Sequence, residues 1–204
     1  MVKIFMNYLP KIVKLENLNI KIKRGGDKMK IYTIRHGETD WNKLGKIQGV
    51  SDIELNEIGI EQAKEAAKKI SEYNFDLILS SPLKRAAKTA EIVSDGNIPI
   101  IFKEELVERR FGKYEGCTTK EFDIAKCYDC KLNLNENGME PVKDLLKRVE
   151  NLLNEIKSTY KDRRVLLVTH GGTLRAINAY CNGMCDNIMG GTFTKNCEIK
   201  EFEY

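Results

Sequence analysis

Residues 29–42 read MKIYTIRHGETDWN, and residues 165–175 read VLLVTHGGTLR. In each, a short apolar run ends on a histidine that is followed by glycine. The chain has two histidines, His36 and His170, and both occupy this kind of junction. The apolar runs are short and rich in β-branched and aliphatic residues, which suits buried strands better than helices.

Working outward, strands alternate with helices. Residues 55–73 carry Ile60, Ala63, Ala67 and Ile70 at helical spacing between charges, so they predict a helix. A strand follows at 75–81. Ser81 and Pro82 then offer an N-cap and a first-turn proline for a helix over 83–94. Residues 98–102 read as a strand, 141–160 as a long amphipathic helix with a proline at its start, and 163–170 as a strand. A helix over 171–181 and a closing strand over 196–204 complete the pattern. Leu145, Leu146, Val149, Leu152 and Leu153 are simply the core stripe of their helix. Such alternation implies an α/β three-layer sandwich, a mostly parallel central sheet with helices on both faces. Ligands bind such sheets outside the carboxyl ends of the strands. Arg35 and His36, Ser80 to Arg85, and His170 would therefore gather at one edge. Residues 117–140 are the least regular part and predict a short helix and loop over that edge.

With 204 residues, 42% of them hydrophobic and 31% charged, the chain has ordinary globular composition, enough for one domain with a proper core. No apolar run approaches the roughly 20 residues of a membrane helix. The six cysteines fall short of a secreted disulfide framework, and with no signal peptide, free thiols in a cytoplasmic protein are the expectation. The pairs in CYDC (127–130) and CNGMC (181–185) have suggestive spacing. A closed zinc site wants four converging ligands, so no metal is expected there.

The formal charge of +4 is unevenly spread. Residues 1–28 hold seven Lys or Arg against Glu16 and Asp27, leaving the rest at −1. A near-neutral remainder has no nucleic-acid footprint. The first 28 residues are broken by Pro10, and LNIKIK (18–23) alternates like an extra strand. Back-translation of RGGDKM (24–29) permits a purine-rich ribosome-binding site before a start codon. The expectation is therefore a non-native or disordered extension over 1–28, without site residues, and a single domain over 29–204.

The polar residues at the sheet edge suit phosphoryl transfer. A neutral imidazole attacks phosphorus and divides one displacement into two. Arg35, and Arg85 one turn into its helix, are bidentate donors to phosphate oxygens, and their charge favours an unprotonated His36. A protonated His170 would add a donor, as would a helix N-terminus at Gly171 and Gly172. An acid is still needed for the leaving alkoxide. Glu108 and Glu115 both lie in ELVERRFGKYEG (105–116), and the residues alone leave the choice open.

The blocks RHGETDWN, IQGVSDIELNEIGIEQA, LSSPLKRAAKTAEI, LVERRFGKYEG, THGGTLR and NCEIKEFEY follow one another over nearly all of 29–204. In that order they resemble the histidine phosphatase superfamily, in its phosphoglycerate-mutase-like branch, and are most similar to small bacterial phosphatases such as α-ribazole or broad-specificity phosphatases. The resemblance implies His36 as the residue phosphorylated, with Arg35, Arg85 and His170 forming the phosphate pocket and Glu108 donating the proton. It implies that Asn42, Gln48, Gly49 and Gly171 line the substrate pocket, with no metal and no cofactor. The partner would be a small phosphoester, not a nucleic acid or a membrane, and the chain a monomer or homodimer. Cofactor-dependent mutases of this kind carry a longer insertion with paired arginines, whereas here no Arg lies between Arg110 and Arg148, and Phe111 stands where mutases usually have Tyr. A phosphatase is expected. A phosphoglycerate mutase or a non-catalytic phosphoester-binding module are the alternatives.

Overall fold

The computed structural model describes residues 29–183, 186–189 and 194–204. The 1–28 segment and its alternating 18–23 stretch lie outside the described residues, as does Cys185. The sheet is built from β1 (Lys30–Arg35), β2 (Leu77–Ser80), β3 (Ile100–Phe102), β4 (Val165–Thr169) and β5 (Ile199–Glu203). Their spatial order is β3-β2-β4-β1-β5. All neighbours are parallel except β5, which runs antiparallel to β1 along the opposite edge.

The two-residue period of the strands divides the core in two. Ile31, Leu77, Leu79, Val165 and Leu167 point to one face, and α5 (Val142–Thr159) and α6 (Gly171–Asn182) cover them. Tyr32, Ile34, Ile78, Leu166 and Val168 point to the other, under α2 (Glu57–Ile70) and α3 (Lys84–Ser94). Every residue of β4 is buried, as expected of a central parallel strand covered on both sides. The remaining helices, α1 (Asp40–Lys43) and α4 (Ile124–Cys127), are single turns in the loops above the carboxyl edge.

Two local readings need correction. The buried face of α2 is Gly59, Ala63, Ala66 and Ile70, so Ile60 and Ala67 flank it instead of forming it. The reason is Gly37: the backbones of Gly37 and Gly59 come so close that a Cβ on Gly37 would meet the Gly59 carbonyl at 2.4 Å. That contact fixes the helix rotation. The second correction concerns α3, which starts at Lys84 with Leu83 as its N-cap, so Ser81 and Pro82 precede it. The exposed Lys84 N–H is satisfied from a distant loop, donating to the Asp52 carboxylate at 2.7 Å. Arg85 is consequently the second helical residue, not one turn in.

Candidate active site

β1 and β4 are adjacent, so the residues that follow them emerge side by side, and the His36 N–H donates to the Thr169 carbonyl at 3.0 Å. The imidazoles of His36 and His170 lie with ring centroids 5.1 Å apart. His36 Nδ1 is 2.7 Å from the Gly37 carbonyl, which can only accept, so Nδ1 carries the proton and Nε2 keeps its lone pair. His170 Nε2 is 2.8 Å from the Ser81 hydroxyl, while its buried Nδ1 has no partner among the described residues. Ser81 thus serves the second histidine, a role its position before a helix had disguised.

Burial, then the positive charges of Arg85 and Arg35, hold the His36 pKa well below the usual imidazole value of 6.5. His170 is lowered in the same way, by burial, Arg85 and His36. Both rings are therefore neutral near pH 7, and a protonated His170 is not what the site presents. This has a stability consequence. The unfolded chain protonates its histidines near pH 6.5, whereas the folded chain resists until much lower pH. The unfolded state then binds more protons, so stability falls as pH drops below that value, by up to about 1.4 kcal/mol per pH unit for each histidine. Urea midpoints should decline between about pH 6.5 and 5.5 in the wild type and much less in a variant with both histidines replaced by glutamine.

Arg85 is fully buried, and its pKa is pushed down to about 10 by desolvation. Its Nη1 and Nη2 donate to the carbonyls of Ser51 and Gly49 at 2.8 and 2.7 Å, and Nε has no partner among the described residues. Gly49 holds φ +52°, a conformation that favours glycine, and a Cβ there would strike the Glu115 carboxylate. Arg35 donates from Nη1 to the Thr194 carbonyl at 3.0 Å.

The two glutamates separate cleanly. Glu115 is a brace: its carboxylate accepts from the N–H groups of Val50, Ser51 and Phe111 and from the Ser51 hydroxyl. Glu108 faces the cavity. Its oxygens accept from the N–H groups of Gly172 and Thr173, at 3.0 and 3.2 Å, and from Arg109 N–H. The start of α6 therefore holds the Glu108 carboxylate, and those N–H groups are not open to phosphate as the sequence suggested. Gly172 makes this possible, because a Cβ there would come 2.5 Å from Glu108 Oε1. Gly172→Ala should displace Glu108 and lower kcat/KM by about 10²-fold. The same Cβ would also meet the Tyr128 hydroxyl at 2.5 Å, so the thermal midpoint should fall, by the equivalent of about 1–3 kcal/mol, while the chain stays folded at assay temperature. Loss of the folded circular-dichroism signal at assay temperature would mean that the substitution had simply disrupted the fold.

Arg35, His36, Asn42, Gln48, Gly49, Arg85, Glu108 and Gly171 all line one cavity of about 310 Å³. His170 lies behind it, against His36. Asn42 also closes a capping box with Thr39 at α1, and the buried Gln48 Oε1 has no partner among the described residues. Sequence reading missed Lys46, Tyr128, Arg175 and Lys200, which line the cavity from the loops, α6 and β5. The 117–140 segment does cover the site, contributing Thr119, Ile124 and Tyr128. Trp41 packs beside Gly116 and Lys46 without reaching the cavity. No cluster of metal-ligating side chains occurs among the described residues, and no helix there is long and apolar enough to cross a membrane.

The family profile of the histidine phosphatase superfamily (branch 1) matches residues 31–204. The chain is 36% identical over 151 residues to the uncharacterized phosphatase PhoE of Bacillus subtilis, covering 74% of this chain and 76% of that protein. It is 31% identical over 160 residues to phosphoserine phosphatase 1 of Hydrogenobacter thermophilus, 75% of each chain. The crystal structure of phosphoserine phosphatase from Entamoeba histolytica, in complex with 3-phosphoglyceric acid, superposes with a TM-score of 0.73 at 34% identity, over 84% of this chain and 89% of that one. The paired histidine junctions, the α/β sandwich around them and these relatives agree: the chain belongs to the histidine phosphatase superfamily, branch 1, and is a phosphatase.

Proposed function

We propose that the chain hydrolyses small phosphomonoesters in two displacements through a phosphohistidine at His36, with no metal in the mechanism. The observation that carries this reading is the His36 ring, whose Nδ1–H is tied to Gly37 so that Nε2 is the atom left to attack. In the first step Nε2 bonds to phosphorus as the ester P–O bond breaks, and Glu108 gives its proton to the departing oxygen. The Gly37 carbonyl receives the charge that develops on the ring. Arg35, the free Nε of Arg85 and the Nδ1 side of His170 would hold the equatorial oxygens. For His170 this requires that the Ser81 hydroxyl donate to Nε2, leaving the proton on Nδ1. In the second step water attacks the phosphohistidine and Glu108, now a carboxylate, takes its proton.

The cavity beyond the phosphate pocket carries Lys46, Arg175 and Lys200 and no second acid. That charge pattern, with relatives named for phosphoserine and one bound to 3-phosphoglyceric acid, favours substrates bearing a second anionic group such as a carboxylate. The missing arginines between Arg110 and Arg148 favour hydrolysis over a mutase. A panel of phosphorylated hydroxy and amino acids, sugar phosphates and an aryl phosphate, assayed in EDTA for released phosphate, tests the proposal. Turnover by the wild type, lost in His36→Ala, is the expected result. Strict dependence on added divalent metal, or phosphoryl movement between substrate carbons without release, would refute it.

A further inference from the structure

The 117–140 segment, which forms a lid over the cavity, supplies a tyrosine that the two-step scheme above does not use. Tyr128 closes the end of α4 and is only 3% exposed: Phe111 meets its ring edge-on at 6.2 Å, and the guanidinium groups of Arg109 and Arg175 lie over it at 5.0 and 5.7 Å. Its carbonyl is also tied down, accepting from Ile188 N–H at 3.0 Å. A ring held this firmly delivers its hydroxyl to one place. Among the described residues that hydroxyl donates to nothing, and Tyr128 lines the cavity.

The first residues of α6 show where the hydroxyl sits. A Cβ on Gly171 would lie 3.8 Å from Arg35 Nε and 3.9 Å from Glu108 Oε2. A Cβ on Gly172 would lie 2.5 Å from Glu108 Oε1 and 2.5 Å from the Tyr128 hydroxyl. The three groups are thus strung along the helix start in the order Arg35, Glu108, Tyr128. A phosphate held by Arg35 and attacked from His36 would have its leaving oxygen toward Glu108, and the Tyr128 hydroxyl meets the same Gly172 position as Glu108 Oε1, so the two groups stand side by side at the helix start.

We infer that Tyr128 is a further catalytic residue, donating a hydrogen bond to the leaving-group oxygen while Glu108 delivers the proton. The inference rests on the phosphohistidine reading above. Proton bookkeeping is unchanged: the P–O bond breaks, the oxygen takes the Glu108 proton, and Tyr128 keeps its own. Burial and the charge of Glu108 raise the Tyr128 pKa, so the phenol remains a donor at any working pH.

Tyr128→Phe removes the hydroxyl and keeps the ring between Phe111 and the two guanidiniums. The comparison is kcat/KM for a simple alkyl phosphate and for p-nitrophenyl phosphate, whose leaving group needs little help. The alkyl ester should lose about 10- to 100-fold, the worth of one hydrogen bond to developing charge, and the aryl ester less than about threefold. Glu108→Gln should show the same selectivity more strongly. Equal losses on both esters would indicate a merely structural tyrosine and overturn the inference, as would an unchanged alkyl rate. Were the wild type to turn over neither these esters nor any member of the panel above, the phosphohistidine reading itself would fail and take this one with it.

Discussion

His36→Ala is expected to lower kcat by at least about 10⁴-fold, because it removes the proposed nucleophile and leaves, among the described residues, no side chain placed to activate water in its stead. Glu108 is held at the start of α6. In the proposed mechanism it flanks the leaving-group side, which does not place it to serve as base for direct attack from the opposite face. Product phosphate should still bind within about tenfold of the wild type, since Arg35, Arg85 and His170 remain. Steady-state kinetics and calorimetry with inorganic phosphate separate the two effects. A variant retaining a tenth of the wild-type rate would show that water, not His36, attacks phosphorus.

Arg85→Met should cost about 10³-fold in kcat/KM, within the range seen when a cationic donor is withdrawn from a transferring phosphoryl group. Methionine fills much of the volume but carries neither charge nor donors. Two further effects follow from the geometry. The carbonyls of Gly49 and Ser51 lose their partners, which destabilises the fold by about 1–3 kcal/mol each if water cannot reach them. The His36 pKa also moves, because Arg85 is the largest charge holding it down after burial. The sign is upward: with one cation gone, protonation of His36 becomes easier, and the acid limb of the rate profile shifts to higher pH. Imidazole NMR titration checks the shift independently of turnover. An acid limb that stays in place would mean that Arg85 does not act on His36 electrostatically.

The fold was legible because its signals are periodic. The short apolar runs that end at His36 and His170 marked β1 and β4 as buried strands, and the apolar stripe of α5 carried through unchanged. The site was legible as far as strand ends could carry it, since a residue that follows a parallel strand has its place set by the sheet. What stayed hidden depends on approach between loops, which has no period. Gly37 and Gly59 decide how α2 is rotated, yet each reads as an ordinary glycine. Glu108 and Glu115 are seven residues apart in one irregular stretch, and only the partners that bind Glu115 mark it as structural. Ser81 looked like a helix cap because it precedes Pro82, whereas the buried His170 is what it serves. Tyr128 lay in the least regular segment of the chain, so nothing in the sequence aimed its hydroxyl.

The central claim is tested most directly by quenching turnover in alkali and mapping the phosphoryl group by mass spectrometry, using Glu108→Gln to slow release. The account predicts an acid-labile phosphoryl group on His36, absent from His36→Ala and discharged to inorganic phosphate when the enzyme is left in water. Label on any other residue, or turnover with no covalent phosphoenzyme and with inverted configuration at phosphorus, would contradict it.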